Sequence, residues 1–148
     1  MSLEQTISEA IKTAMREKDR VALDSLRAVK AQILLLQTEA RGAEVTAEQE
    51  IAILQRMIKQ RKDSYEQFTA QGRTDLAEVE EAQSKVIEKF LPKQLSADEL
   101  ESEIKKIISE TGAESLKDLG KVMGVASKAL AGKSDGKSIS EMVKKLLS

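Results

Sequence analysis

The sequence predicts an all-α protein, with an N-terminal four-helix domain over residues 1–93 and a C-terminal three-helix domain over residues 96–148. Three observations carry this prediction. Apolar residues recur at spacings of three and four along nearly the whole chain, the period of an amphipathic helix. Strand formers are scarce, since the only aromatics among the 148 residues are Tyr65, Phe68 and Phe90. A single proline, Pro92, breaks the helical pattern near two thirds of the way along.

Leu3, Ile7, Ile11, Ala14 and Met15 define a first helix over about residues 3–18, closed by a turn at Lys18-Asp19. Leu23, Leu26, Ile33, Leu34 and Leu36 define a second, which runs to about Arg41 with Gly42 as its stop. Thr46 with Gln49 is a capping box that opens a third helix, whose stripe is Ile51, Leu54, Ile58, Tyr65 and Phe68, and Gly72 ends it. A fourth begins near Thr74 and carries Leu76, Val79, Gln83, Val86, Ile87 and Phe90. Pro92 holds Leu91 extended, so Leu91-Pro92-Lys93-Gln94-Leu95 reads as a linker. Ser96 with Glu99 forms another capping box, opening a helix with Leu100, Ile104, Ile107 and Ile108 inward and Gly112 at its end. From Ser115 the pattern resumes with Leu116, Leu119, Val122, Met123 and Leu130. After a turn at Lys133-Ser134-Asp135-Gly136, Asp135 or Ser138 caps a last helix built on Ile139, Met142, Val143, Leu146 and Leu147.

The absence of Cys and His excludes thiol nucleophiles, Ser-His and Cys-His pairs, imidazole- or thiolate-bound zinc and His- or Cys-ligated haem. No apolar run approaches the roughly 20 residues that span a bilayer. The opening Met1-Ser2-Leu3-Glu4-Gln5 lacks the basic start of a secretory signal, so a soluble, cytoplasmic protein with no membrane partner is expected. Charge is polarised along the tail. Residues 1–95 hold 15 basic and 16 acidic groups, residues 96–114 two against six, and residues 117–148 seven lysines against Asp118, Asp135 and Glu141. The basic end suggests an anionic partner.

Gly132-Lys133-Ser134 and Gly136-Lys137-Ser138 each resemble the end of a P-loop, but the earlier glycine would fall on Ser127 or Ala131 and no strand precedes either, so a nucleotide cradle is rejected. Gly120 and Gly124 leave one strip of a helix without side chains. Such a strip serves either tight helix packing or, with Lys121 and Lys128, a flat basic surface for a sugar-phosphate backbone. On the third helix Arg61 lies in the apolar stripe between Ile58 and Tyr65, which predicts a half-buried stem and an ion pair with Glu80 or Glu81. The acidic runs Glu78-Glu80-Glu81 and Glu99-Glu101-Glu103 sit near helix starts, where the macrodipole favours them, and no base or nucleophile converges on them. No catalytic residue, metal ligand or cofactor is assigned.

The order of motifs resembles the YqeY-like proteins. Ala14-Met15 with Lys18-Asp19 and Leu26-Arg27, Lys59-Gln60-Arg61 with Ser64 and Phe68, Gly72-Arg73 with Asp75-Leu76, and Leu91-Pro92 with Leu95 and Glu99-Leu100 carry the likeness. Gly120-Lys121-Val122-Met123-Gly124 and Ala131-Gly132-Lys133-Ser134-Asp135-Gly136-Lys137 are similar to the tail domain of the amidotransferase B subunit (GatB). Ser134 stands where that tail often has Arg, and Phe90 where the family usually has Tyr. The resemblance implies a helical domain joined to a compact three-helix tail. It also implies tRNA, because in the amidotransferase the tail contacts the outer corner of tRNA while a separate module performs the amidation. This chain has only the tail-like part.

The resulting expectation is a non-catalytic tRNA- or RNA-binding accessory of aminoacyl-tRNA synthesis or amidation. Its contacts would be Gly120, Lys121, Gly124, Lys128, Lys133, Lys137, Lys144 and Lys145. The tail has no aromatic residue on which to stack a base, so phosphate and shape are what it would read. Two other readings stand beside this one: a helical adaptor docking on an aminoacyl-tRNA synthetase or amidotransferase, and a carbon-nitrogen ligase by family label.

Overall fold

A computed structural model describes residues 2–148, and among these it contains helices and no strand. The order is α1 (Leu3–Glu17), α2 (Arg20–Glu39), α3 (Ala47–Ala70), α4 (Thr74–Glu88), α5 (Ala97–Thr111), a 3₁₀ turn (Leu116–Asp118), α6 (Leu119–Ala129) and α7 (Gly136–Leu147). Two compact units divide the chain, one ending at Leu91 and the other running from Pro92 to Ser148.

In the first unit α4 packs on α3 and α2, and α1 packs on α2. Capping boxes at Ser2/Gln5 and Thr46/Gln49 start α1 and α3, each satisfying two backbone amides that the first turn leaves without partners. Asp19 caps α2 through the Ala22 amide. Lys18 takes the left-handed conformation that lets α1 stop and α2 start without a glycine. Ile7, Leu26, Val29, Ile33, Leu54, Met57, Ile58 and Ile87 form the core. Ser25 is buried among them because its hydroxyl donates to the Val21 carbonyl at 2.7 Å.

Three expectations need correction here. Met15, Leu34, Tyr65 and Val79 are exposed rather than part of the stripes, since the buried rows run through residues such as Ala14, Ile33, Met57 and Ala77. The second helix stops at Glu39, because Arg41 and Gly42 both have positive φ and leave the helical path. The fourth stops at Glu88, so Phe90 packs against the core from the following turn.

In the second unit α5, α6 and α7 pack pairwise around Leu100, Ile104, Ile107, Val122, Ala126, Leu130, Ile139, Val143 and Leu147. Ser96 and Glu99 form the expected capping box, and Gly112 closes α5 in the left-handed conformation. Asp135 is the cap of α7, its carboxylate accepting from the Ser138 amide at 2.7 Å. Leu116 lies on the 3₁₀ turn and is exposed, which corrects its placement in the apolar stripe. The entry segment is tied down by Leu95, whose amide donates to the Lys133 carbonyl at 2.9 Å, and by Gln94, whose side-chain amide donates to the carbonyls of Pro92 and Gly132.

Candidate nucleic-acid interface

The buried side of α6 is Val122, Ala126 and, just beyond its end, Leu130. At 100° per residue this places Gly120, Gly124 and Lys128 on one strip of the opposite, solvent-facing side, with Lys121 and Val125 beside them. A Cβ added at Gly120 or Gly124 meets nothing within 4 Å. Of the two readings of this glycine pair, close packing within the chain is therefore removed. The strip is open surface, about 12 Å long from Gly120 to Lys128 at 1.5 Å per residue.

On α7 the inward row is Ile139, Val143 and Leu147, so Lys137, Lys144 and Lys145 face outward around Glu141. Lys133 is exposed in the turn before α7. Each helix buries one face in the common core and turns the other to solvent. The candidate residues thus fall into two groups, one on α6 and one on α7 with its leading turn, rather than a single continuous strip.

Local chemistry separates these lysines further. Lys121 Nζ donates to the Thr111 carbonyl at 2.9 Å and so closes the C-terminus of α5. Lys144 and Lys145 lie in the last turn of α7, where cations interact favourably with the macrodipole. Lys137 lies in the first turn, where the same field opposes it. The amide of Ser138, which a phosphate would take in a P-loop, is already bonded to Asp135.

The first unit holds a correction to a predicted side-chain pairing. Arg61 donates from Nε to Gln83 Oε1 at 3.2 Å and from Nη1 to the Met57 carbonyl at 3.2 Å, so its partners are neutral acceptors instead of Glu80 or Glu81. Glu81 is paired along its own helix with Lys85 at 3.3 Å, and Glu101 with Lys105 at 3.4 Å. Glu99 is held below the usual carboxylate range by the Ser96 backbone amide and then by the Ser96 side chain. These acids serve helix ends and helix surfaces.

Together these features define an all-helical class of protein, free of His and Cys, whose last unit turns lysines outward from two packed helices. The chain belongs to the Yqey-like protein family, whose model matches residues 4–147. It is also similar to curated proteins called "Altered inheritance of mitochondria protein 41, mitochondrial". With that of Pyrenophora tritici-repentis it is 29% identical over 140 residues, covering 93% of this chain and 76% of the relative. With that of Meyerozyma guilliermondii it is 35% identical over 91 residues, covering 58% of this chain and 44% of the relative. For Clavispora lusitaniae the identity is 33% over 81 residues, covering 55% and 46%. The match thus spans about half the length of the last two relatives. The expectation of a cytoplasmic protein does not stand against these relatives, which are named as mitochondrial proteins.

Proposed function

We propose that this protein is a non-catalytic tRNA- or RNA-binding accessory of aminoacyl-tRNA synthesis or tRNA-dependent amidation, and that its two units act as separate domains with the second as the RNA-binding one. The open α6 strip carries the reading. Gly120 and Gly124 clear the surface without any packing partner, and Lys128 continues the same strip as a cation. Lys137 supports it, since the local helix field opposes a lysine in the first turn of α7 and does not account for one there. Lys133, Lys144 and Lys145 extend the basic surface, whereas Lys121 contributes through the fold. The likeness of the tail to the amidotransferase B subunit supplies the choice of tRNA.

Binding of bulk tRNA across a salt series, with duplex DNA as control, tests the proposal. A log-log slope of roughly −0.7 to −0.9 per phosphate contact is expected, with affinity for tRNA above that for DNA. Replacing Lys128, Lys133 and Lys137 together by Ala should reduce the slope by about 2 to 3. Absence of binding at low salt would refute the proposal. It would leave the adaptor reading, which the exposed Leu34 and Leu35 on α2 favour, the latter 52% accessible beside the cleft between α2 and α3.

A further inference from the structure

An open groove of about 280 Å³ runs between α2 and α3, and its two walls repeat one pattern. Gln32, Leu35, Leu36 and Glu39 line it from α2, and Gln49, Ala52, Ile53 and Arg56 from α3. Each set has the spacing i, i+3, i+4, i+7, which is one face of a helix. The middle of both walls is apolar and the ends are polar. That middle is unfilled, since Leu35 and Ala52 are both exposed above the buried Ile53. Two neighbouring helices that turn such faces to solvent are half of a four-helix bundle. The loop 40–46 joins the helices at the end holding Glu39 and Gln49, and Arg56 Nη2 donates to Gln32 Oε1 at 3.1 Å at the other. Among the described residues neither Glu39 nor Arg56 has an ion pair. Glu39 is also the last residue of α2, where the macrodipole disfavours a carboxylate. The groove therefore carries one unpaired charge of each sign, at opposite ends.

We propose that this groove is the interface between two copies of the chain, packed face to face about a two-fold axis that crosses α2 and α3 at the apolar middle. A surface with opposite charges at its two ends is complementary to itself reversed. That axis brings Glu39 of each copy to the end that holds Arg56 of the other, and it sets the two apolar middles against each other. An axis parallel to the helices would gather like charges at both ends. The adaptor reading gives the same groove to a helix of another protein, but the placing of Glu39 and Arg56 selects a second copy. The walls supply fewer residues than the roughly 20–30 per side of a standard interface, so the dimer is reversible, with a Kd in the micromolar range. The interface lies in the first unit and stands or falls independently of RNA binding by the second.

Sedimentation velocity of the full chain at low salt, from about 1 µM to about 500 µM, tests the proposal. A shift from monomer to dimer with rising concentration is expected. Leu35→Glu should weaken the dimer at least about tenfold, because it sets two charges in the apolar middle. Glu39→Arg and Arg56→Glu each place like charges at both ends, and each should weaken it about tenfold. An equimolar mixture of these two variants has opposite charges at both ends again, and should form a heterodimer about as tight as the parent dimer. A chain that stays monomeric throughout overturns the proposal and leaves the groove to another protein. A dimer indifferent to Leu35→Glu lies elsewhere and overturns it as well. A mixture no tighter than its two components overturns the two-fold arrangement. All three positions are exposed, and circular dichroism establishes that the variants fold. If Leu35→Glu does not, the mixture of charge variants decides.

Discussion

Lys121 Nζ donates a 2.9 Å hydrogen bond to the carbonyl of Thr111, joining the first turn of α6 to the last residue of α5. The Thr111 carbonyl is one of the four that a helix leaves without an internal partner, and it sits at the negative end of the macrodipole. Lys121 is therefore a cap for a neighbouring helix, whereas Lys128 stands exposed in the last turn of its own helix and meets only that helix's dipole. Lys121→Met should lower stability in urea by about 0.5–1 kcal/mol and leave the salt slope of tRNA binding unchanged. Lys128→Met should leave stability within about 0.5 kcal/mol and reduce that slope by about 0.7 to 0.9.

Gly124 sits in the interior of α6 with open space where a Cβ would stand. Its cost is the backbone freedom lost on folding, uncompensated by any contact within the chain. Gly124→Ala should raise stability by about 1 kcal/mol, measured by urea or thermal unfolding. If the strip docks a phosphate backbone, the same variant should lower tRNA affinity. A gain of stability with a loss of binding would mark the glycine as functional. A gain in stability with unaltered binding would remove it from the interface.

The difference between Lys121 and Gly124 shows what a sequence can reveal about such a protein. The capping boxes at Thr46/Gln49 and Ser96/Glu99 were legible because donor and acceptor lie three residues apart on one chain segment. Helix number was legible for the same local reason. The partner of Arg61 was not. It lies 22 residues away on another helix, and the choice between Gln83 and the nearby glutamates depends on how α4 is rotated against α3. Gly120 and Gly124 have a spacing that fits packing and open surface equally well, and only coordinates show that no neighbour is present. Ser84 carried no sequence signal either, because a buried hydroxyl without a hydrogen-bond partner shows only once α4 is packed.

Gln94 holds the entry segment of the second unit to the turn that precedes α7. Its side-chain amide bridges the Pro92 carbonyl, at 2.8 Å, and that of Gly132, a buried residue with φ of 76°. Gln94→Ala removes both bonds and leaves the Gly132 carbonyl without that donor. A destabilisation of about 1–2 kcal/mol is expected. Hydrogen exchange should locate it, with faster exchange at the Leu95 amide, which donates to Lys133 in the same turn, and little change in α1–α4.

Acid should act on the capping box of α5 and spare the capping boxes of α1 and α3. All three helices open with capping boxes, but the reciprocating side chain is Gln5 in α1, Gln49 in α3 and Glu99 in α5. Only Glu99 titrates. Its carboxyl is held below its ordinary value near 4.5 by the Ser96 backbone amide, so the folded state favours the charged form. A carboxylate depressed in this way contributes stability in full above its unfolded value and loses it as pH falls through the lower, folded one. The second unit should therefore weaken progressively below about pH 4.5. Glu99→Gln keeps the hydrogen bond that Gln5 and Gln49 make in the other two boxes while removing the titration. In urea unfolding from pH 7 to pH 3, the variant should lose less stability than the parent across that acid range. Equal acid sensitivity in both would show that the capping carboxylate does not govern it.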